Sequence, residues 1–196
     1  MTGWGAHGFD MVQLALGMDE GGPVELWTEG PKFQSVTYTQ AESNKRGDET
    51  TNSPKVFFRY PGDIVMELVE KAPNGKKPPS FGGVFVGEKG TFTIDRGRIS
   101  SDPEDLAINI MSKRPKGYDS SHISNWLSCI KSRKTPNADV EIGHRSATVC
   151  HLGNIARYLG RKLKWDPVKE QFPGDAEANS YLDRARRKGY ELPAKV

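Results

Sequence analysis

No stretch of this 196-residue chain approaches the ~18 consecutive apolar residues of a membrane-crossing helix. No basic segment followed by an apolar one opens it, so a cytoplasmic protein is the default expectation, with any export signal lying upstream of these residues. Cysteine is scarce. Cys129 and Cys150 stand alone in helix-periodic stretches, which excludes a disulfide framework and a zinc-type spacing and predicts two buried thiols. The charge of one sign is small as well: a formal net +3 gives no reason to expect a nucleic-acid partner, and the one basic cluster, Arg184, Arg186, Arg187 and Lys188, has no interleaved stacking aromatics. We read that cluster as the solvated last turn of a helix, where cations suit the dipole. The chain contains neither G-x-G-x-x-G nor G-x-x-x-x-G-K-[ST], so no phosphate cradle is visible in it, and no G-x-S-x-G elbow offers a serine nucleophile.

What is present is the composition of a polar globular domain, 35% hydrophobic and 27% charged, and the length fits one compact domain spanning 1–196. Residues 6–16 are predicted as a helix with Phe9, Val12, Gln13 and Leu16 on one stripe and Gly17 as its stop. From Val24 the period becomes two, with Val24, Leu26 and Thr28 alternating against Glu25, Trp27 and Glu29. "KVFFRYPGDIVMELVE" reads as a hairpin about Pro61-Gly62-Asp63, and residues 82–100 as two or three more strands, while 40–53 and 72–80 read as loops.

Beyond about residue 118 the period changes to 3.6. Ile123, Trp126, Leu127 and Ile130 fall on one helical face, and Thr148, Leu152, Ile155 and Leu159 on another that Gly160 ends. A last helix is expected from its N-cap Asp175 through Ala178, Tyr181, Leu182 and Ala185. Strands grouped ahead of helices predict an α+β fold, an open and mostly antiparallel sheet with helices packed on one face. The other face then meets water, a partner chain or a further domain.

Two groups of residues draw chemical interest. His7 and Asp10 lie one helical turn apart behind Gly3 and Gly5, so a carboxylate sits where it can tune and orient an imidazole acting as general acid and base. His144 and His151 are seven residues apart on one predicted helix, with Arg145 beside the first. That spacing separates the rings by roughly 10 Å along the axis, too far for both to hold one ion, and no metal site is expected.

The stretches "MTGWGAHGFDMVQLALGMD", "NWLSCIKSRKTPNADVEIGHRSATVCHLGNIARYLGRKLKWDP" and "GDAEANSYLDRARRKGYEL" resemble, in that order, the C-terminal domain of Gfo/Idh/MocA-family oxidoreductases, above all the subgroup abundant in planctomycetes and related bacteria. The resemblance implies an α/β domain with an open sheet that offers a sugar-binding surface and an oligomer interface. It also implies a separate N-terminal Rossmann domain holding NAD or NADP, and hydride transfer to or from a sugar or cyclitol carbon. The family's Asp-x-Gly-x-His-x-x-Asp motif places its histidine on His7 and its last aspartate on Asp10, while its first aspartate falls on Gly3. Asp10 is then the group expected to orient His7, the proton-handling residue, with Trp4, His144 and Arg145 as expected substrate contacts.

The Glu-Lys-Pro lysine and the dinucleotide fingerprint of that family are absent from these residues, so no cofactor is expected on this chain and no turnover by it alone. The expected partners are a sugar or cyclitol, the Rossmann domain and a further copy of the chain through the sheet face, with no nucleic acid and no membrane. Two alternatives of other classes are a stand-alone, non-catalytic carbohydrate-binding or scaffold module, and a metal-assisted sugar lyase or hydrolase using His7 with His144 or His151.

Overall fold

The computed structural model describes residues 5–31, 33, 54–69, 79, 81–95, 98–111, 121–183 and 185–192. Trp4, Gly3, Arg184 and the loop expected at 40–53 lie outside the described residues, as does nearly all of the loop expected at 72–80. The chain forms two compact units, one from residues 1–22 and 67–154 and the other from 23–66 and 155–196. The α+β class is as expected, but the strands divide into a four-stranded and a three-stranded sheet instead of one.

In the first unit, helix α1 (Gly5–Ala15) buries Phe9, Val12 and Gln13, three of the four residues on its predicted stripe. Gly17, at φ 66°, supplies the left-handed turn that stops the helix. The buried Gln13 amide then fixes the exit of the chain, its Nε2 donating to the carbonyls of Met18 at 3.0 Å and Gly21 at 3.3 Å.

Outside residues 23–66, the chain of this unit resumes as an antiparallel meander, β4 (Gly83–Gly87), β5 (Gly90–Asp95) and β6 (Arg98–Asp102). A Cβ on Gly83 would stand 3.1 Å from Val12 Cγ2, so a glycine there lets α1 lie close against β4. Helix α2 (Asp105–Met111) follows β6 through Ser101, whose hydroxyl donates to Pro103 O at 2.6 Å and accepts from Ala107 N–H at 2.8 Å. Helix α3 (His122–Ser132) begins at Ser121 as expected, its side chain accepting from Ser124 N–H at 3.2 Å. The stripe Ile123, Trp126, Leu127 and Ile130 is exposed, however, and no residue of α3 is buried among the described residues.

Helix α4 (Val140–Leu159) enters this unit with its first fifteen residues and ends in the other. Its buried residues are Ser146, Val149, Cys150, Leu152, Gly153, Ile155 and Ala156. That stripe shares Leu152 and Ile155 with the expected one but leaves Thr148 and Leu159 only half-buried. Cys150 is buried, and its desolvation pushes the thiol pKa up, whereas Cys129 is half-buried, so the expectation of two buried thiols is met at one position.

The second unit is built on β1 (Glu25–Glu29), β2 (Lys55–Arg59), β3 (Val65–Glu67) and β7 (Leu163–Lys164), in the order β3-β2-β1-β7. Leu26 is opposite Phe58 on one side and Leu163 on the other, so three fully buried side chains cross the sheet in one row. The alternate row turns the other way. Trp27 stacks on Phe57 with ring centroids 5.1 Å apart, and Arg59 and Lys162 lie over the indole at 5.5 and 5.1 Å. Lys162, donating at 2.9 Å, and then Arg59, at 3.4 Å, hold the Glu25 carboxyl below its usual range. The period-two reading of 24–29 and the hairpin about Pro61–Asp63 are therefore both found.

The last helix differs from expectation. Asp175 does cap it, accepting from Ala178 N–H at 3.0 Å, but α5 (Ala176–Asn179) is a single turn. Two short polar side chains divert the backbone: Asn179 accepts from Phe172 N–H and donates to Phe172 O, both at 2.8 Å, and Ser180 Oγ donates to Glu177 O at 2.7 Å. Side chains of this kind compete with helical hydrogen bonds. Arg186, Arg187 and Lys188 consequently lie in irregular chain and not in a last helical turn; Arg186 pairs with Asp183 and Arg187 covers the Tyr190 ring.

Candidate functional site

The site grows from α1. The 3.6 period that buries Phe9, Val12 and Gln13 leaves His7 and Asp10 on the exposed side of the helix. The His7 imidazole meets the edge of Phe81, just ahead of β4, with ring centroids 5.7 Å apart and planes at 88°. That T-shaped contact packs one side of the ring while leaving it open to solvent. Gly8 brings the backbone of α1 near that of Gly82, since a Cβ on it would stand 3.8 Å from Gly82 N.

Asp10 is held from a distant part of the chain. Ser146, 4% exposed on α4, donates its hydroxyl to Asp10 Oδ1 at 2.8 Å, a hydrogen bond joining residues 136 apart in sequence. A buried hydroxyl aimed at a carboxylate is a charge-assisted contact, stronger than one between neutral groups. It fixes Asp10 one turn from His7 and anchors the middle of α1 to α4. Sequence reasoning passed over Ser146. The available signal was its spacing: Ser146 stands three and four residues before Val149 and Cys150, a polar residue on an otherwise apolar stripe.

The other expected site residues fall differently. Arg145 follows α4 round by about 100° from Ser146, and its guanidinium lies on Glu141 one turn back, at 2.7 Å. His144 is two residues before Ser146 and is exposed. His151 is also exposed, on nearly the same face as His144 two turns further on. The helix thus turns both rings away from the side on which Ser146 meets Asp10. Among the described residues no three His, Cys, Asp or Glu side chains gather as a metal ion would require. Trp4 lies outside the described residues.

The described residues do not fit a dinucleotide. The pairs β1–β2, β1–β7, β4–β5 and β5–β6 are all antiparallel, and among the described residues no parallel strand–glycine turn–helix unit presents a helix N-terminus to a pyrophosphate. No helix among them is long and apolar enough to cross a membrane.

Residues 97–192, just under half of the chain, match the Gfo/Idh/MocA family model described as oxidoreductase family, C-terminal alpha/beta domain. That stretch runs from β6 through α5 and includes Arg145 and Ser146, while α1 with His7 and Asp10 precedes it. No curated protein and no solved structure matches the chain.

Proposed function

We propose that this chain is the C-terminal, substrate-facing domain of a Gfo/Idh/MocA-type oxidoreductase of the planctomycete-like subgroup, working in the cytoplasm on a sugar or cyclitol. The observation that carries the reading is the match over residues 97–192. The sequence motif on α1 and the Ser146–Asp10 bond support it, because the bond ties the motif to the matched stretch. NAD or NADP belongs on another domain, since the described residues here do not fit it.

Within this reading His7 accepts the proton of a substrate hydroxyl when the carbon is oxidised and returns it on reduction. Its ring is exposed and packs edge-on with Phe81. Asp10, fixed by Ser146, is the carboxylate that steadies the resulting imidazolium from one turn away. Arg145 is steered by Glu141, so its contact with substrate is to a hydroxyl within reach of that pair. His144 reaches substrate only from the far side of α4, and Trp4 stacks on the sugar ring. Self-association through the sheet face, on which Trp27 and Phe57 stack, completes the reading.

The test is calorimetry with NAD, NADP and a panel of sugars and cyclitols, on this chain and on the same chain joined to a dinucleotide-binding domain of this family. Dinucleotide binding only by the joined protein is expected, with His7→Ala lowering turnover by about 10²-fold or more. Sugar binding at equal affinity by the chain and its His7→Ala variant, without turnover in the joined protein, overturns the reading. It favours instead the non-catalytic carbohydrate-binding module, for which Gly3 in the first aspartate position of the motif is the observation in hand.

A further inference from the structure

Phe81 is more than a neighbour of His7, because the chain around it is held in place. Its backbone N–H donates to Asp95 Oδ1 at 3.0 Å, which ties it to the end of β5. The next residue, Gly82, lies so close to β5 that a Cβ on it would overlap the Ile94 carbonyl. The backbone is thus fixed on β5, while the phenyl ring is only half-buried and stands beside an exposed imidazole. A ring held in this way keeps apolar surface for a ligand, and binding sites are lined by such rings together with a few placed polar groups.

We infer that Phe81 is the specificity-determining residue of the His7 site, the apolar wall on which the C–H side of a closed six-membered ring lies. The inference rests on the reading that this side of α1 meets a sugar or cyclitol, and adds which form of it is taken. The phenyl and imidazole planes stand at 88° with their centroids 5.7 Å apart. A ring laid flat along the phenyl therefore stands perpendicular to the imidazole plane and carries its equatorial hydroxyls at its rim. The site and such a molecule divide alike: polar rim to His7, C–H face to Phe81. An open-chain polyol with the same hydroxyls has no such face and must also give up its internal rotations to adopt one shape. Asp95 acts through the Phe81 N–H and is a positioning residue.

Calorimetry on the chain tests this with scyllo-inositol, methyl pyranosides and open-chain alditols of the same carbon number. The rings are expected to bind about tenfold tighter than the alditols; Phe81→Leu should cut that ratio by about fivefold and Phe81→Tyr should keep it. Asp95→Ala should lower the ratio as well, and Asp95→Asn, which retains an acceptor for the Phe81 N–H, should restore it. A phenyl that merely packs against His7 affects both classes equally, so a ratio unchanged in Phe81→Leu overturns the proposal. Where that variant fails to fold, the wild type decides: nuclear Overhauser contacts between the Phe81 ring protons and the C–H protons of the bound ring are expected, and their absence overturns it. No binding of either class overturns it too, whether or not the protein joined to a dinucleotide-binding domain turns over. A ring preference that Phe81 controls, without turnover by the joined protein, sustains this proposal and counts against the oxidoreductase reading alone.

Discussion

Replacing Ser146 tests whether α1 is tied to α4 through Asp10. The two ends of the bond are in unlike surroundings. Ser146 is 4% exposed, whereas Asp10 lies on the exposed side of its helix and regains water when its donor is lost. Ser146→Ala removes one small hydroxyl, leaves little cavity, and should cost about 1 kcal/mol, the net worth of a hydrogen bond whose acceptor rehydrates. Asp10→Ala strands the buried hydroxyl instead and should cost about 2 kcal/mol. Once the hydroxyl is gone, removing the carboxylate has less left to break, so the double variant should cost about 2 kcal/mol and the coupling should come out at about 1 kcal/mol. Urea unfolding reads all four proteins, with midpoints shifting at constant slope. For a chain of this length 1 kcal/mol corresponds to a melting shift of about 2–4 °C. Additivity within about 0.3 kcal/mol refutes the reasoning, for it means that the 2.8 Å contact does not join the helices in solution.

Two further outcomes follow from the same structure. Gly90 has φ 139°, and a Cβ on it would overlap the carbonyl of Asp102, the cross-strand neighbour of Thr91, so Gly90→Ala should destabilise by about 3 kcal/mol in urea. Gly87→Ala, where the nearest atom to a new Cβ is 3.9 Å away, should cost well under half of that. The Arg161 guanidinium, assisted by Ala178 N–H, holds the Asp175 carboxyl at about 2, below its ordinary 3.8. The folded value is the depressed one, so this stabilisation is present above about 3.8 and is lost as pH falls toward 2. Thermal melts of wild type and Asp175→Asn should therefore differ at neutral pH and converge over that window; a difference that stays constant contradicts the pairing.

What the sequence reveals of this fold is what depends on local period. α1, β1, the hairpin about Pro61–Asp63, the meander from 83 to 102 and the cap at Ser121 were all legible, because a 3.6 or 2.0 repeat and a turn or cap residue suffice to define them. The last helix was not. Its cap and apolar spacing match a longer helix, but Asn179 and Ser180 prefer bonds to Phe172 and Glu177, and that preference depends on where Phe172 lies once folded. The division of the strands between two sheets was hidden for the same reason, since β7 reaches β1 only through pairing across 137 residues, as Lys162 reaches Glu25.

The candidate site divides along the same line. His7 and Asp10 can be read as a pair because i, i+3 spacing is local. Ser146 cannot, because its meaning is a relation between α1 and a helix near the other end of the chain. Periodicity gives α3 one apolar face, and among the described residues the structure leaves the four side chains of that face exposed. A repeat of apolar residues states that a helix must be covered and is silent about which surface covers it.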